Sequence, residues 1–262
     1  MRQPVSSLTR WVVAGLLAGF ATGAIADVGF LYTNGVFRTI AHQNATGINN
    51  AGQIVGYNPA DGSSFLDTGG TVTTFKMPGK TGTVANGINN AAQIVGDVFS
   101  VQNLSSPNQG FLYTGGVFST IDVPGAFRTS ALGINNAGQI VGLFQDNSGY
   151  HGFLDTAGAF STLDVPTGTG LSAASAINNN GQIVGFFNFG LPTVQSFVYA
   201  GGTFRTIAVP GAPSTVANGI NDAGDIVGTL SGVPEPGSLV LFSVGMLGLA
   251  LAWRRRFAAN LR

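Results

Sequence analysis

Short segments in which apolar and polar residues alternate recur along the chain, and each is rich in β-branched or aromatic residues. This two-residue period is typical of strands that bury one face. Four kinds of segment recur, and each predicts a strand: Gln-Ile-Val-Gly, Gly-Phe-Leu-Tyr, Val-Phe-Ser-Thr-Ile, and a segment ending in Gly-Ile-Asn. Turn sequences such as Gly115-Gly116, Asn-Asn-Ala-Gly and Pro124-Gly125 separate them. The pattern therefore predicts an all-β body.

The segments belong to a repeat. Close variants of Gly-Ile-Asn-Asn-Ala-Gly-Gln-Ile-Val-Gly occur five times, with isoleucines at positions 48, 88, 134, 177 and 220 and spacings of 40, 46, 43 and 43 residues. A second block of Phe-Leu type starts at Phe30, Phe65, Phe111, Phe153 and Phe197. Phenylalanines also recur in the strand that follows, at Phe37, Phe75, Phe118, Phe160 and Phe204. Because a sheet must bury one face, these ten phenylalanines predict the core.

Four strands per unit at this period are typical of a β-propeller, which usually has about four to eight blades. Five units predict a five-bladed propeller over residues 27–230, with a β-solenoid or a pair of β-sandwiches as alternatives. In this interpretation the N-terminal residues supply three strands of one blade, and Ile226-Val227-Gly228 supplies the fourth. The two chain ends are thus expected to latch the ring.

The first 26 residues have the layout of a secretory signal peptide. Arg2 and Arg10 make a positive region, residues 11–20 are apolar, and Ala24-Ile25-Ala26 forms an A-x-A cleavage site before Asp27. We predict cleavage after Ala26 by signal peptidase following Sec export. An uncleaved anchor is the alternative.

The C-terminal residues 231–262 read as a sorting tail. They contain Val233-Pro234-Glu235-Pro236, then an uncharged apolar run over 237–253, then Arg254-Arg255-Arg256. Prolines keep the first segment extended and accessible to a protease. The apolar run is long enough for a short transmembrane helix, and the arginines are expected to stay cytoplasmic. A buried C-terminal helix is the alternative.

The tail resembles the PEP-CTERM proteins, whose tails carry Pro-Glu-Pro, a transmembrane helix and a basic cluster in this order. Pro234, Glu235, Pro236 and the arginines at 254–256 match that pattern. The resemblance implies processing by an exosortase, a membrane protease-transpeptidase of Gram-negative bacteria that often make exopolysaccharide and biofilm. It implies a substrate and says nothing about the body.

The body also resembles a family, the bacterial extracellular repeats named HAF after a His-Ala-Phe tripeptide. The resemblance covers roughly residues 28–230 and is strongest in the Asn-rich turn. It departs at the tripeptide, because only His151-Gly152-Phe153 keeps the histidine. The family implies an exported repeat protein without a defined reaction.

Composition narrows the function further. The chain has no cysteine, so disulfides, thiol nucleophiles and thiolate metal sites are excluded. Residues 27–233 carry five basic residues against ten aspartates, a formal charge of −5, which gives no basic surface for nucleic acid.

We predict no catalytic residues, metal or cofactor. The candidate pairs Asp67 with Asp155 and Asp122 with Asp164 occupy equivalent repeat positions, which favours turns and strand ends over acid–base catalysis. His42 and His151 are not equivalent and make a weak metal site. Residues 221–225 vaguely resemble a calcium loop, but four of the five copies offer amides rather than carboxylates, so these asparagines are expected to bond their own backbone.

The sequence therefore predicts an exported, exosortase-sorted, non-catalytic binding or structural propeller. It is expected in the inner membrane transiently, through its tail, and then at the cell surface or outside the cell. The exosortase, signal peptidase and Sec machinery are the predicted partners, and exopolysaccharide is an open candidate. A secreted carbohydrate-active enzyme or lectin on the same scaffold is the alternative.

Overall fold

A computed structural model of the protein describes residues 29–33, 36–40, 44–99, 108–168 and 171–231. The predicted signal peptide, the Pro-Glu-Pro segment, the apolar run 237–253 and the arginine cluster lie outside these residues. The described residues form twenty β-strands. None of them forms a helix long and apolar enough to cross a membrane.

The strands fall into units in chain order. The first hairpin is β1 (Gly29–Thr33) and β2 (Val36–Ile40). Four units of four strands follow: β3 (Ala45–Ile48), β4 (Ile54–Asn58), β5 (Ser63–Thr68) and β6 (Thr71–Phe75); β7 (Gly82–Ile88), β8 (Ile94–Phe99), β9 (Gln109–Thr114) and β10 (Val117–Ile121); β11 (Arg128–Ile134), β12 (Ile140–Asp146), β13 (Gly149–Thr156) and β14 (Ala159–Leu163); β15 (Leu171–Ile177), β16 (Ile183–Phe189), β17 (Gln195–Ala200) and β18 (Thr203–Ile207). The last hairpin is β19 (Ser214–Ile220) and β20 (Ile226–Ser231).

Each four-strand unit is an antiparallel sheet whose strands pair in chain order. The all-β prediction is confirmed, as is the four-stranded repeat. The predicted grouping of the first strands was wrong: β3 pairs with β4, and not with the hairpin before it. The reason is local, because the Asn-rich turn joins β3 and β4 directly as a hairpin. The described strands therefore make four complete sheets and two terminal hairpins, β1–β2 and β19–β20.

A β-bulge in the first strand of every unit sets the path of the chain. In the third unit the register shifts between Ala131 and Gly133. The bulge brings the carbonyl of Ser130 against Gly142 of β12, where a Cβ would meet both this oxygen and the ring of Phe153. Glycine is required at this position because backbone and ring approach it together. The same contact recurs at Gly56, Gly96 and Gly185.

The core lies within and between successive sheets, and the phenylalanine prediction is confirmed where side chains are described. Phe65, Phe111, Phe153 and Phe197 are at most 1% exposed. The second set of phenylalanines packs on the first at an angle: Phe118, Phe160 and Phe204 make edge contacts with Phe111, Phe153 and Phe197 at centroid distances of 5.4, 5.8 and 5.3 Å.

The sheets are arranged around an axis. The first strands of successive units contact each other in the order β3, β7, β11, β15 and β19. Residues of all five of these strand ends line one cavity. Four-stranded antiparallel sheets set radially around a common channel are the arrangement of a β-propeller.

The last hairpin has an uncovered edge within the described residues. Val227 of β20 is 67% exposed, whereas the equivalent Val55, Val95, Val141 and Val184 are fully buried. Ile48 of the first unit is 54% exposed, against 8% for Ile88, Ile134 and Ile177. The surface left open therefore lies between the fifth unit and the first.

Candidate functional site

The asparagine-rich turns form one end of the axial cavity, and the first asparagine closes each turn. In the third unit, Asn135 Oδ1 accepts the backbone N–H groups of Ala137 and Gln139 at 3.1 and 3.0 Å. Asn135 Nδ2 donates to Gln139 Oε1 at 2.9 Å. Asn49, Asn89 and Asn178 make the same bonds. The prediction that these asparagines bond their own turn is confirmed.

The same side chain also joins its unit to the next, which the sequence analysis did not predict. Asn135 Nδ2 donates to the carbonyl of Asn178 at 3.2 Å. Asn49, Asn89 and Asn178 donate likewise to the carbonyls of Asn89, Asn135 and Asn221. The four donors are between 3% and 8% exposed. Each first asparagine therefore makes four hydrogen bonds at once, three within its own turn and one to the next unit.

The second asparagine of each turn forms a belt around the cavity mouth. The backbone N–H of Asn50 donates to Asn90 Oδ1 at 2.9 Å, and Asn90 and Asn136 continue the pattern to the next unit. The belt ends at Asp222, whose two carboxylate oxygens accept the backbone N–H and Nδ2 of Asn179, both at 2.8 Å. These bonds, led by the Asn179 side chain, hold the pKa of Asp222 below its ordinary value.

The cavity has a volume of 310 Å³ and is lined by equivalent residues from all five units. Every unit contributes an isoleucine and two polar residues: Ile48, Asn49 and Asn50; Ile88, Asn89 and Asn90; Ile134, Asn135 and Asn136; Ile177, Asn178 and Asn179; Ile220, Asn221 and Asp222. Among the described residues that line the cavity, Asp222 is the one with an ionisable side chain. The site is therefore an amide ring with isoleucines in its lining.

The opposite face carries a second polar cluster around His151. His151 Nδ1 lies 2.7 Å from Asp164 Oδ2, and Nε2 lies 2.9 Å from Ser148 Oγ. A Ser-His-Asp chain of this kind can activate a serine nucleophile. Here, however, the Ser148 hydroxyl donates to Asp146 Oδ1 at 2.6 Å, which commits its single proton to a carboxylate. That bond is the main cause of the lowered pKa of Asp146.

Both parts of this cluster recur in units that have no histidine. Ser63 Oγ donates to Asp61 Oδ1 at 2.7 Å in the first unit. In the second unit, Gln109 Nε2 donates to Asp122 Oδ2 at 3.0 Å, as His151 bonds Asp164. The cluster is therefore part of the turns of the repeat. His151 and Gln109 occupy equivalent positions, and each bonds the aspartate of a neighbouring loop.

Two of the candidate aspartates hold the hairpin turns that follow their strands. Asp67 and Asp155 each accept a backbone N–H of the following turn, from Gly70 and Gly158, at 2.6 Å. The expectation that repeat-equivalent aspartates belong to turns and strand ends is confirmed for this pair.

In the calcium-like segment 221–225, the carboxylates accept hydrogen bonds from asparagine amides. Asp225 Oδ2 accepts Asn221 Nδ2 at 2.9 Å, and Asp222 is held by Asn179. In the part of the chain that the structure describes, no group of three or more His, Cys, Asp or Glu side chains is arranged to hold a metal ion.

Sequence reasoning missed Asp97, which occupies a position filled by Tyr57, Leu143 and Phe186 in other units. Its Oδ1 accepts Asn86 Nδ2 at 2.9 Å. Burial between two sheets raises the pKa of Asp97, although bonds from Asn86 and Ser130 oppose this. An acid that breaks the apolar pattern of a strand is the signal that could have found it.

Comparison with known proteins identifies the tail. Residues 232–256 match the PEP-CTERM protein-sorting motif. This span contains Val233, Pro234, Glu235 and Pro236 together with the arginines at 254–256. These residues, and the predicted cleavage residues Ala24 and Ala26, lie outside the described structure. No curated protein matches the chain.

Solved structures resemble the body. A streptogramin B lyase is 19% identical, with 78% of this chain and 70% of that chain covered and a TM-score of 0.51. A gluconolactonase from Xanthomonas campestris is 12% identical, with 78% and 76% covered and a TM-score of 0.50. The propeller domain of the Trilobed protease from Pyrococcus furiosus is 13% identical, with 75% and 66% covered and a TM-score of 0.45. At such identities the likeness to the first two structures shows the fold alone.

Proposed function

We propose that this chain is an exported protein sorted by an exosortase, whose body is a non-catalytic propeller that binds or builds material at the cell surface. The observation that carries the proposal is the PEP-CTERM motif at 232–256, which follows directly on the last strand, β20. The signal peptide expected over residues 1–26 would place the body on the side of the membrane where that tail is read. The link to exopolysaccharide or biofilm rests on the resemblance of the tail.

Intact-mass analysis tests the sorting proposal. Protein from the envelope and the medium is compared in hosts with and without the exosortase, for the natural chain and for Glu235→Ala. We expect a mature species that begins at Asp27 and ends near Pro234 to Gly237, formed from the natural chain when the exosortase is present. Asn147→Asp, a change in a body turn, is the control and should be processed normally. Unchanged processing of the Glu235 variant would contradict the proposal.

The five-bladed ring is the architecture we propose for the body, with the terminal hairpins β19–β20 and β1–β2 forming the fifth blade. Residues 29–40 are identical to residues 110–121 of β9 and β10 at ten of twelve positions. In the second unit β8 pairs with β9, and Ile226-Val227-Gly228 repeats the Ile-Val-Gly of β8. The first hairpin thus has the sequence of the outer half of a blade, and the last has the sequence of the inner half.

The polar belt supports this closure. Within the described residues, the N–H of Asp222 and the Oδ1 of Asn50 have no hydrogen-bond partner. The equivalent groups bond each other at all four junctions between successive units. One end of the belt offers the donor and the other offers the acceptor. Closure of the ring would join them and would cover Val227.

Engineered disulfides test the closure, because the chain has no natural cysteine. The pairing of Val95 with Leu112 predicts that Val227 pairs with Leu31. We expect Val227→Cys with Leu31→Cys to form an intramolecular disulfide, detected as a loss of two hydrogens in the monomer mass. Val227→Cys with Thr33→Cys is the out-of-register control. Equal cross-linking of both pairs, or of neither, would refute the closed ring.

A non-catalytic role is supported by the repetition of the polar clusters. The carboxylates and the serine nearest His151 have counterparts in turns of other units, so they hold loops without forming a unique reactive centre. A lectin is the second candidate, and the axial cavity is the observation that favours it.

A further inference from the structure

Polar groups at the cavity mouth that lack a hydrogen-bond partner among the described residues indicate what the cavity binds. Asn50, Asn90 and Asn136 use their Oδ1 or backbone N–H in the belt, but their Nδ2 groups have no hydrogen-bond partner among the described residues. All three side chains are exposed at the mouth of the cavity. Each Nδ2 carries two N–H groups, so the mouth presents up to six donors.

An acceptor faces these donors. Asp222 closes the belt, and each of its carboxylate oxygens keeps accepting capacity beyond the single bond it makes to Asn179. The ligand that satisfies both sides must both donate and accept hydrogen bonds. A hydroxyl group does both, whereas a carboxylate or a carbonyl only accepts.

Charge narrows the ligand class. The described residues of the lining include no lysine, arginine or histidine, so an anion would meet Asp222 without a compensating cation from them. A lone carboxylate with amides is also too weak a set for calcium, which takes about six to eight oxygens and several full charges. A neutral, hydroxyl-rich molecule therefore fits the electrostatics of the cavity.

The volume of the cavity and the isoleucines in its lining complete the assignment. Ile88, Ile134 and Ile177 belong to the lining of the cavity and are 8% exposed. A sugar ring has an apolar C–H face as well as a hydroxyl rim, so it can contact the isoleucines while bonding the amides. The volume of 310 Å³ is at the low end of ligand pockets, which run from about 300 to 1,000 Å³. It suits a single sugar residue, free or at the end of a glycan.

We propose that the axial cavity binds one neutral sugar residue, held by Asn50, Asn90, Asn136 and Asp222. The inference rests on the proposed function only in taking an extracellular glycan as the source of that sugar. The cavity and its donors belong to the body, so the sugar site can be tested independently of sorting.

The test uses the purified full chain in a zwitterionic detergent without a sugar headgroup. Glucose, galactose and mannose, their glucan, galactan and mannan oligomers, and glucuronate are titrated by calorimetry. We expect binding of at least one neutral sugar in preference to glucuronate. A free sugar that binds as well as its oligomer indicates a one-residue site.

Asn90→Asp and Asn136→Asp are the informative variants. Aspartate keeps the Oδ1 acceptor that the belt needs, as Asp222 shows naturally, but it replaces the Nδ2 donor with an acceptor. We expect each variant to weaken sugar binding about tenfold while the melting temperature changes little. Asn147→Asp, in the exposed turn between β12 and β13, makes the same charge change on the opposite face and should bind normally.

The outcomes separate the two proposals. No neutral sugar binding, preferential glucuronate binding, or equal loss in Asn147→Asp would overturn the sugar site, even in a correctly sorted protein. If the cavity variants weaken sugar binding but the exosortase leaves the natural protein unprocessed, the sugar site is supported and the sorting proposal is contradicted.

Discussion

Asn135 offers the sharpest test of how the turns hold the propeller together. It is 3% exposed, and its side chain makes four hydrogen bonds: two from backbone N–H groups of its own turn, one to Gln139, and one to the carbonyl of Asn178 in the next unit. A buried hydrogen bond contributes about 1 kcal/mol net, so four bonds amount to about 4 kcal/mol. The Ala137 N–H lies on an exposed residue, where water can replace the lost partner.

We therefore expect Asn135→Ala to lower the free energy of unfolding by about 3 kcal/mol, a large part of the roughly 5–15 kcal/mol of a typical domain. The measurement is urea unfolding, monitored by far-UV circular dichroism. Asn136→Ala is the matched control, because it removes a single exposed bond from the Asn90 N–H and should cost about 1 kcal/mol or less. Equal losses in the two variants would refute the argument that the first asparagine carries the inter-unit contact.

Three further predictions concern single positions in the sheets. Gly142→Ala places a methyl group against the carbonyl of Ser130 and should destabilise the protein by about 2 kcal/mol or more, measured by urea unfolding; a neutral result would mean that the bulge relaxes. Because the pKa of Asp97 is raised, the folded state binds its proton more tightly than the unfolded state, and its ionisation costs stability as pH rises through the folded pKa. Asp97→Asn should therefore be more stable than the natural protein at pH 7 and lose that gain at low pH. A gain that does not depend on pH would contradict this. His151→Gln should keep the bridge to Asp164 that Gln109 makes to Asp122, so its melting temperature should stay close to that of the natural protein; a large drop would show a role specific to the imidazole.

The repeat made most of the fold predictable. Phenylalanines such as Phe111 and Phe118 recur at fixed positions, and a residue that recurs in a strand of period two marks a buried face. The grouping of strands into sheets was less accessible. It depends on whether β3 pairs across its own turn or with the preceding hairpin, and both pairings satisfy the alternation of apolar residues.

Only part of the candidate site could be predicted from the sequence. The turn role of Asn135 follows from residue chemistry, but its bond to Asn178 joins residues 43 apart and depends on how units pack. The repeat spacing does contain a clue, because the inter-unit bonds span the same 40, 46, 43 and 43 residues that separate the isoleucines. Asp97 could not be predicted in this way, because it departs from the repeat.

The direction of the last strand relates the cavity to the sorting tail. β20 begins at Ile226, directly after the asparagine turn that lines the cavity, and runs away from it to Ser231. The motif at 232–256 therefore starts at the opposite end of the sheet from the cavity mouth. If β1 pairs with β20 as β9 pairs with β8, Gly29 lies at this same end, so the two segments that carry the predicted processing sites both join the body there. An anchor on that side would hold the propeller with its amide ring facing away from the membrane, where an extracellular ligand can reach it.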